Sequence, residues 1–286
     1  MSQPKIIISC DTTIALSKKE IEENGLNVIP LNAIVDGVEY HDTVDIDAEK
    51  LCEMMRNKAK VSTSTPTIVE IETYFDNLFA KTQADYIIHF TISSKLSSMY
   101  SLFTTVCKEK YGEKVIVVDS LSICCWILKQ VMCAKQMAEE GCSIEEILNK
   151  VKSLQKTEDC AFVPESVEYL KRGGRISPAV ATIANLIGVI PILTFNNGEV
   201  GKKGVTRTMQ KAIITAIKEF KERPNFDKEY DFVILRSDEQ CADRVNRIAE
   251  LLKEFAPESN YSIEKLSLNV TAHTGPGTCG LGIIKK

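Results

Sequence analysis

Several absences narrow the reading before any motif is considered. The chain has ten cysteines, but none stand in a CxxC pair, and its three histidines (His41, His89 and His273) lie far apart. Cys/His zinc spacing is therefore missing, and no metal is expected. The cysteines read as reduced, mostly buried thiols that pack as small hydrophobes. The amino terminus lacks a long apolar run. Met1 to Lys5 leads straight into Ile6-Ile7-Ile8, too short for a signal-peptide core and far too short to span a bilayer. The expectation is a cytoplasmic protein with no transmembrane segment. No basic cluster with interleaved aromatics appears, and the net charge is −4, so nucleic acid is not expected as the main partner. There is no P-loop, dinucleotide fingerprint or GxSxG elbow, and no internal repeat or low-complexity segment.

What is present reads as an ordinary globular chain. Its 286 residues are 44% hydrophobic and 26% charged, enough for about two domains with real cores. In the first half, β-rich runs (Lys5–Ser9, Asn27–Pro30, Tyr86–Thr91, Val115–Val118) alternate with helical stretches. Ser17-Lys18-Lys19-Glu20 and Ser143-Ile144-Glu145-Glu146 are capping boxes, and Asp47, Thr65-Pro66 and Ser97 read as further helix starts. A helix is expected over Ser120–Gly141, and Asp36-Gly37 turns a small hairpin. This βαβα order predicts a three-layer α/β/α parallel-sheet domain over residues 1–163.

The second half changes character after Cys160–Val163. It has a basic glycine turn (Lys171 to Arg175), an apolar helix over Ser177–Gly188, and an antiparallel hairpin about Asn196-Asn197-Gly198. Helices near Thr208–Lys221 and Gln240–Phe255 follow, with strands near Phe232–Arg236, Tyr261–Leu268 and Leu281–Ile284. The pattern predicts a two-layer α/β domain with a mixed sheet over residues 164–286, divided from the first near Pro164, with a ligand between the two.

Ligands of open parallel sheets collect beyond the carboxyl ends of the strands. Those ends carry Cys10-Asp11-Thr12-Thr13, Ser93-Ser94-Lys95 and Asp119-Ser120, and the loop before Pro66 reads Ser62-Thr63-Ser64-Thr65. Such hydroxyls suit a carboxylate, which accepts several hydrogen bonds at once. Taken singly, each loop is better read as a helix cap. His273 lies in Ala272-His273-Thr274-Gly275-Pro276-Gly277, where it either serves the site or is a solvated residue of a turn between the last two strands. Lys171-Arg172-Gly173-Gly174-Arg175 is equally readable as a solvated turn. His41, in a polar loop, and His89, inside an apolar strand, carry less promise.

The segments Asp11-Thr12-Thr13, Ser62 to Pro66, Ile92-Ser93-Ser94 to Tyr100, Val118-Asp119-Ser120, Leu170 to Ser177 and His273-Thr274-Gly275-Pro276-Gly277 follow one another as in the DegV family, which the whole chain resembles. The resemblance implies a bacterial two-domain protein of phospholipid metabolism. Such a protein binds a long-chain fatty acid by its carboxylate and presents it to a separate fatty acid kinase subunit for acyl phosphate formation. It would not be an enzyme itself and would use no cofactor. Transient membrane contact is compatible with this role. By the same resemblance, Ser62 or Thr63, Ser94 and His273 hold the carboxylate, Asp11, Arg172, Arg175 and Gly275 lie near the site, and Arg207 faces the kinase. Two positions depart from the common family pattern: Thr65 stands where Gln or a similar residue is usual, and Ser98 where Gly is usual. The acyl chain is expected in an apolar tunnel lined partly by Ile183, Leu186 and Ile187, although from the residues alone most of that helix is better read as plain core. Two rival readings remain. One is a hydrolase or acyl transferase using Ser94 with His273, for which no third, histidine-orienting group stands out. The other is a sensor or scaffold whose lipid controls association.

Overall fold

The computed structural model describes residues 3–155, 157–175 and 190–286. The expected helix over 177–188, with Ile183, Leu186 and Ile187, lies outside the described residues.

Thirteen strands are described: β1 Ile6–Asp11, β2 Asn27–Ile29, β3 Asn32–Val35, β4 Val38–His41, β5 Val61–Ser64, β6 Tyr86–Thr91, β7 Val115–Asp119, β8 Asp159–Val163, β9 Ile190–Asn196, β10 Glu199–Thr206, β11 Tyr230–Arg236, β12 Tyr261–Lys265 and β13 Cys279–Lys285. The helices, numbered along the chain, are α1 Lys18–Glu23, α2 Ala48–Arg56, α3 Ile68–Thr82, α4 Met99–Tyr111, α5 Cys124–Glu139, α6 Ile144–Leu154, α7 Glu168–Arg172, α8 Met209–Lys221, α9 Phe226–Glu229, α10 Ala242–Phe255 and α11 Leu268–Thr274. None of them is long and apolar enough to cross a membrane.

The strands form three sheets. The first, in the order β2-β1-β6-β7, is wholly parallel. Alternation along its strands covers both faces. Ile87 packs with Ile71, Phe75 and Phe103 of α3 and α4, whereas Ile88 and Phe90 pack with Ile127, Val131, Ile147 and Val151 of α5 and α6. This is the expected three-layer arrangement. The second sheet, β10-β9-β8-β13-β11-β12, is mixed, with only β11 and β12 parallel. A small antiparallel sheet, β4-β3-β5, accompanies them.

Period-two alternation gives the second sheet two roles. Ala161, Val163, Phe232 and Ile234 turn toward α8 and α10, forming one core. Their neighbours Cys160, Phe162, Val233 and Leu235 turn the other way and join the core that contains α3 and α4. Helices thus cover one face, and the other is pressed against the N-terminal half. Trp126 of α5 reaches across, donating from Nε1 to the Ile283 carbonyl at 2.7 Å. Gly282 makes room for it, because a Cβ there would lie 2.7 Å from Trp126 Cζ2 and 2.9 Å from Cys160 Cβ.

Several expectations change. β8 pairs with β13 and β9, so the chain passes to the second sheet between Leu154 and Asp159, upstream of the boundary expected near Pro164. Ser62-Thr63-Ser64 is strand rather than loop, since β5 pairs with β3 along its whole length. α3 is capped by Thr67 and Glu70 in a reciprocal capping box, two residues beyond Thr65. The cap position of α4 is Ser98, although the Ser97 hydroxyl does accept from Met99 N at 3.3 Å. α5 begins at Cys124 rather than Ser120. Most consequentially, the strand expected to run on to Leu268 ends at Lys265. Ser267 then caps α11, accepting from Val270 N, and Gly275 ends that helix at φ +86°. The Ser17 and Ser143 capping boxes and the Asp36-Gly37 and Asn197-Gly198 hairpins stand as read.

Candidate ligand-binding site

A cavity of about 390 Å³ lies where the second sheet faces the N-terminal half. Leu31, Ile92 and Ile123, which follow three parallel strands at their carboxyl ends, form one wall with Met99. Phe162, Phe195 and Leu235 come from the second sheet, and Leu266 and Val270 from the α11 segment. Gly280 of β13 completes that wall, and the close backbone approach there leaves no room for a side chain beside Phe162.

Polar residues gather at one part of the lining. Thr63 of β5 and His273 in the last turn of α11 are 210 residues apart in sequence, yet Thr63 Oγ1 and His273 Nε2 stand 2.9 Å apart. Arg175, exposed, lines the cavity beside them and is held by two carbonyls. Its Nε donates to Leu96 O at 3.2 Å and its Nη1 to Gly173 O at 2.6 Å. Burial and, secondarily, the Arg175 charge push the His273 pKa down to about 4. The imidazole is therefore neutral near pH 7, with one N–H and one lone pair. The imidazole fixes the Thr63 hydroxyl, and that hydroxyl and the guanidinium can donate hydrogen bonds to a carboxylate.

The other residues singled out from sequence fall elsewhere. Ser62 is exposed beside Thr63 on β5, where successive side chains point to opposite faces. Ser94 is exposed outside the cavity lining, its backbone N–H donating to Asp119 Oδ1 at 3.0 Å. Asp11 is fully buried and does not line the cavity. It accepts from Thr13 N at 2.9 Å, from the Thr13 hydroxyl, and from Ile92 N at 3.0 Å, so it braces the backbone of a lining residue. Burial raises its carboxyl pKa above the usual range. Arg172 is exposed in the last turn of α7 and Arg207 is exposed after β10. Gly275 backs onto the Tyr169 ring at the end of α11.

His41 pairs with Asp45 at 2.9 Å, and His89 is buried, stacked on Phe103 and bonded to Ser9 Oγ at 2.8 Å. The Ser94–His273 pair of the hydrolase reading is not formed: the hydrogen-bond partner of His273 is Thr63, and no carboxylate orients the ring among the described residues. Nor does any group of three His, Cys, Asp or Glu side chains cluster there as metal ligands would.

Ser64 and Thr65, of the hydroxyl-rich segment before Pro66, line the cavity, whereas sequence reading missed Ser97, Ser98, Asn269, Thr274 and Thr278 as polar lining residues. For Asn269 a signal existed. Ser267 is a cap, and a helix from Leu268 places Asn269 and His273 one turn apart on the same face.

Residues 5–286 match the family described as "Uncharacterised protein, DegV family". A DegV domain-containing protein of Staphylococcus aureus (strain COL) is 30% identical over 283 residues, covering 99% of each chain. One from Clostridium acetobutylicum is 30% identical over 285 residues, again covering 99% of each. Among solved structures, a DegV family protein from Thermus thermophilus, described by its fatty acid binding, superposes with a TM-score of 0.85 at 26% identity, over 99% of this chain and 100% of that one. A fatty acid binding DegV family protein from Streptococcus agalactiae reaches 0.86 at 22% identity, covering 99% of each, a likeness of fold. With a family match over almost its entire length and curated relatives aligned end to end, this chain belongs to the DegV family.

Proposed function

We propose that this protein binds a long-chain fatty acid, with the carboxylate at Thr63, His273 and Arg175 and the acyl chain in the apolar cavity. The observation that carries the reading is the meeting of Thr63, His273 and Arg175 in a largely apolar chamber lined from both halves of the molecule. Its volume falls within the roughly 300–1,000 Å³ of small-molecule sites. Each methylene removed from water contributes about 0.8 kcal/mol, so an acyl chain supplies most of the affinity and the polar cluster supplies orientation. The Thermus thermophilus relative, whose described property is fatty acid binding, supports the ligand class.

The bound acid is then presented to a separate kinase that forms the acyl phosphate. Ser98 and Arg175 line the cavity and are exposed, so the head group lies where a second protein can reach it. A neutral histidine and a hydroxyl hold the carboxylate while leaving it nucleophilic toward a phosphoryl donor. Arg207, also exposed, is assigned to the kinase contact.

Mass spectrometry of the purified protein under native conditions should find a fatty acid at one per chain. With a fatty acid kinase subunit and ATP the loaded protein should yield acyl phosphate, and with ATP alone none. Acyl phosphate or ester hydrolysis by the protein alone would favour the enzymatic reading.

A further inference from the structure

One polar atom of the cavity wall has no role in the site described above. Asn269 is only 7% exposed and lines the cavity, and its Oδ1 has no hydrogen-bond partner among the described residues. A buried amide oxygen left in that state costs free energy comparable to a lost hydrogen bond. Its lining neighbours Leu266 and Val270 offer no side-chain donor. Of the hydroxyls lining the cavity from the same segment, Thr274 donates to Val270 O at 3.1 Å and Thr278 donates to Thr274 O at 3.0 Å, while Thr271, whose hydroxyl is also unpaired among the described residues, does not line the cavity. The donor is therefore expected from the ligand.

Position narrows what that ligand is. Asn269 and His273 are four residues apart on α11, hence on one face and about 6 Å apart along the axis. An acid whose carboxylate sits at His273 and Thr63 passes Asn269 within its first several carbons. We infer that the cavity is built for a long-chain fatty acid carrying a hydroxyl on the carboxyl-proximal part of its chain, recognised by the Asn269 amide. The inference rests on the proposed fatty acid function. A hydroxyl is the group that fits, since it donates to Oδ1 and accepts from Nδ2 at once. A ketone only accepts and leaves Oδ1 unpaired, and an alkene does neither.

The test is displacement of a fluorescent fatty acid from delipidated protein by palmitate and by a positional series of monohydroxy palmitates. At least one carboxyl-proximal isomer should bind about tenfold more tightly than palmitate, the worth of one satisfied buried hydrogen bond. The isomer hydroxylated at the last carbon should show no such gain. Asn269→Leu should erase the preference and tighten palmitate binding. If palmitate binds wild type at least as well as every hydroxy isomer, the inference is overturned while the fatty acid reading stands. If none of these acids displaces the probe, both are overturned. The wild-type series decides the matter even if the variant does not fold.

Discussion

Gly173 lies so close to the imidazole of His273 that a Cβ built on it would overlap Nδ1. The Gly173 backbone is ordinary, at φ −72° and ψ −10°, so no conformational freedom demands glycine there. The demand comes from the ring. Gly173→Ala should displace His273 from Thr63 and weaken palmitate binding about tenfold, the worth of roughly one hydrogen bond and its geometry. The backbone itself should tolerate alanine, which favours helical conformations over glycine by up to about 1 kcal/mol. Binding titrations paired with thermal melts separate the two effects.

Thr63 and Ser94 should part company. Thr63→Val keeps the shape but removes the hydroxyl bonded to His273, and should weaken fatty acid binding about fivefold to tenfold. Ser94→Ala, at an exposed residue outside the lining, should leave affinity within about twofold. Side-by-side titration of the two variants checks the assignment. A larger loss in Ser94→Ala would restore Ser94 to the head-group site.

Trp126 offers a test of how the two halves are joined. Gly282→Ala would place a methyl 2.7 Å from the ring, 2.9 Å from Cys160 Cβ and 3.1 Å from Asp159 O, with backbone on one side and packed core on the other. Overpacking of this kind costs about 1–3 kcal/mol. Chemical denaturation should show the loss, with Trp126 fluorescence reporting the displaced indole.

Buried Glu158 should make stability depend on pH. Its carboxyl accepts from Ser122 Oγ at 2.6 Å and from Gln130 Nε2 at 3.1 Å, and burial raises its pKa from 4.5 to about 8. The folded state therefore keeps a proton that the unfolded chain gives up. The stabilisation is complete below pH 4.5, declines as pH rises, and is gone above about 8. His273 acts in the other direction: its pKa falls from 6.5 to about 4, so its penalty is absent above pH 6.5 and grows as pH drops through about 4. Glu158→Gln should change melting temperature relative to wild type progressively more in the variant's favour between pH 4.5 and 8. A difference independent of pH over that window would contradict the assignment.

Much of this molecule was legible from local signals. The Ser17/Glu20 and Ser143/Glu146 boxes lie within three residues, and the apolar runs of β6 and β7 announce strands buried on both faces. α11 was harder to see. Seven residues with Val and Thr at their centre carry little helical periodicity, and its stability comes from burial of Leu268, Thr271 and Ala272. Without α11, His273 reads as a loop residue and Asn269 has no face to share with it. The meeting of Thr63 with His273 spans 210 residues and could be expected only through the family resemblance. The choice among serines after β6 was not local either. The turn at Ser93 leaves Ser94 outside and brings Ser97 and Ser98 to the cavity, and Ser93 itself is fixed by its bond to Gly198 O at 2.6 Å in the second sheet.

The most direct measurement is calorimetric titration of delipidated protein with palmitate, run in parallel with methyl palmitate. Saturable binding of one palmitate per chain is expected, with much weaker binding of the ester, which lacks the charge proposed to sit at Thr63, His273 and Arg175. Absence of saturable palmitate binding, or equal affinity for acid and ester, would contradict this expectation.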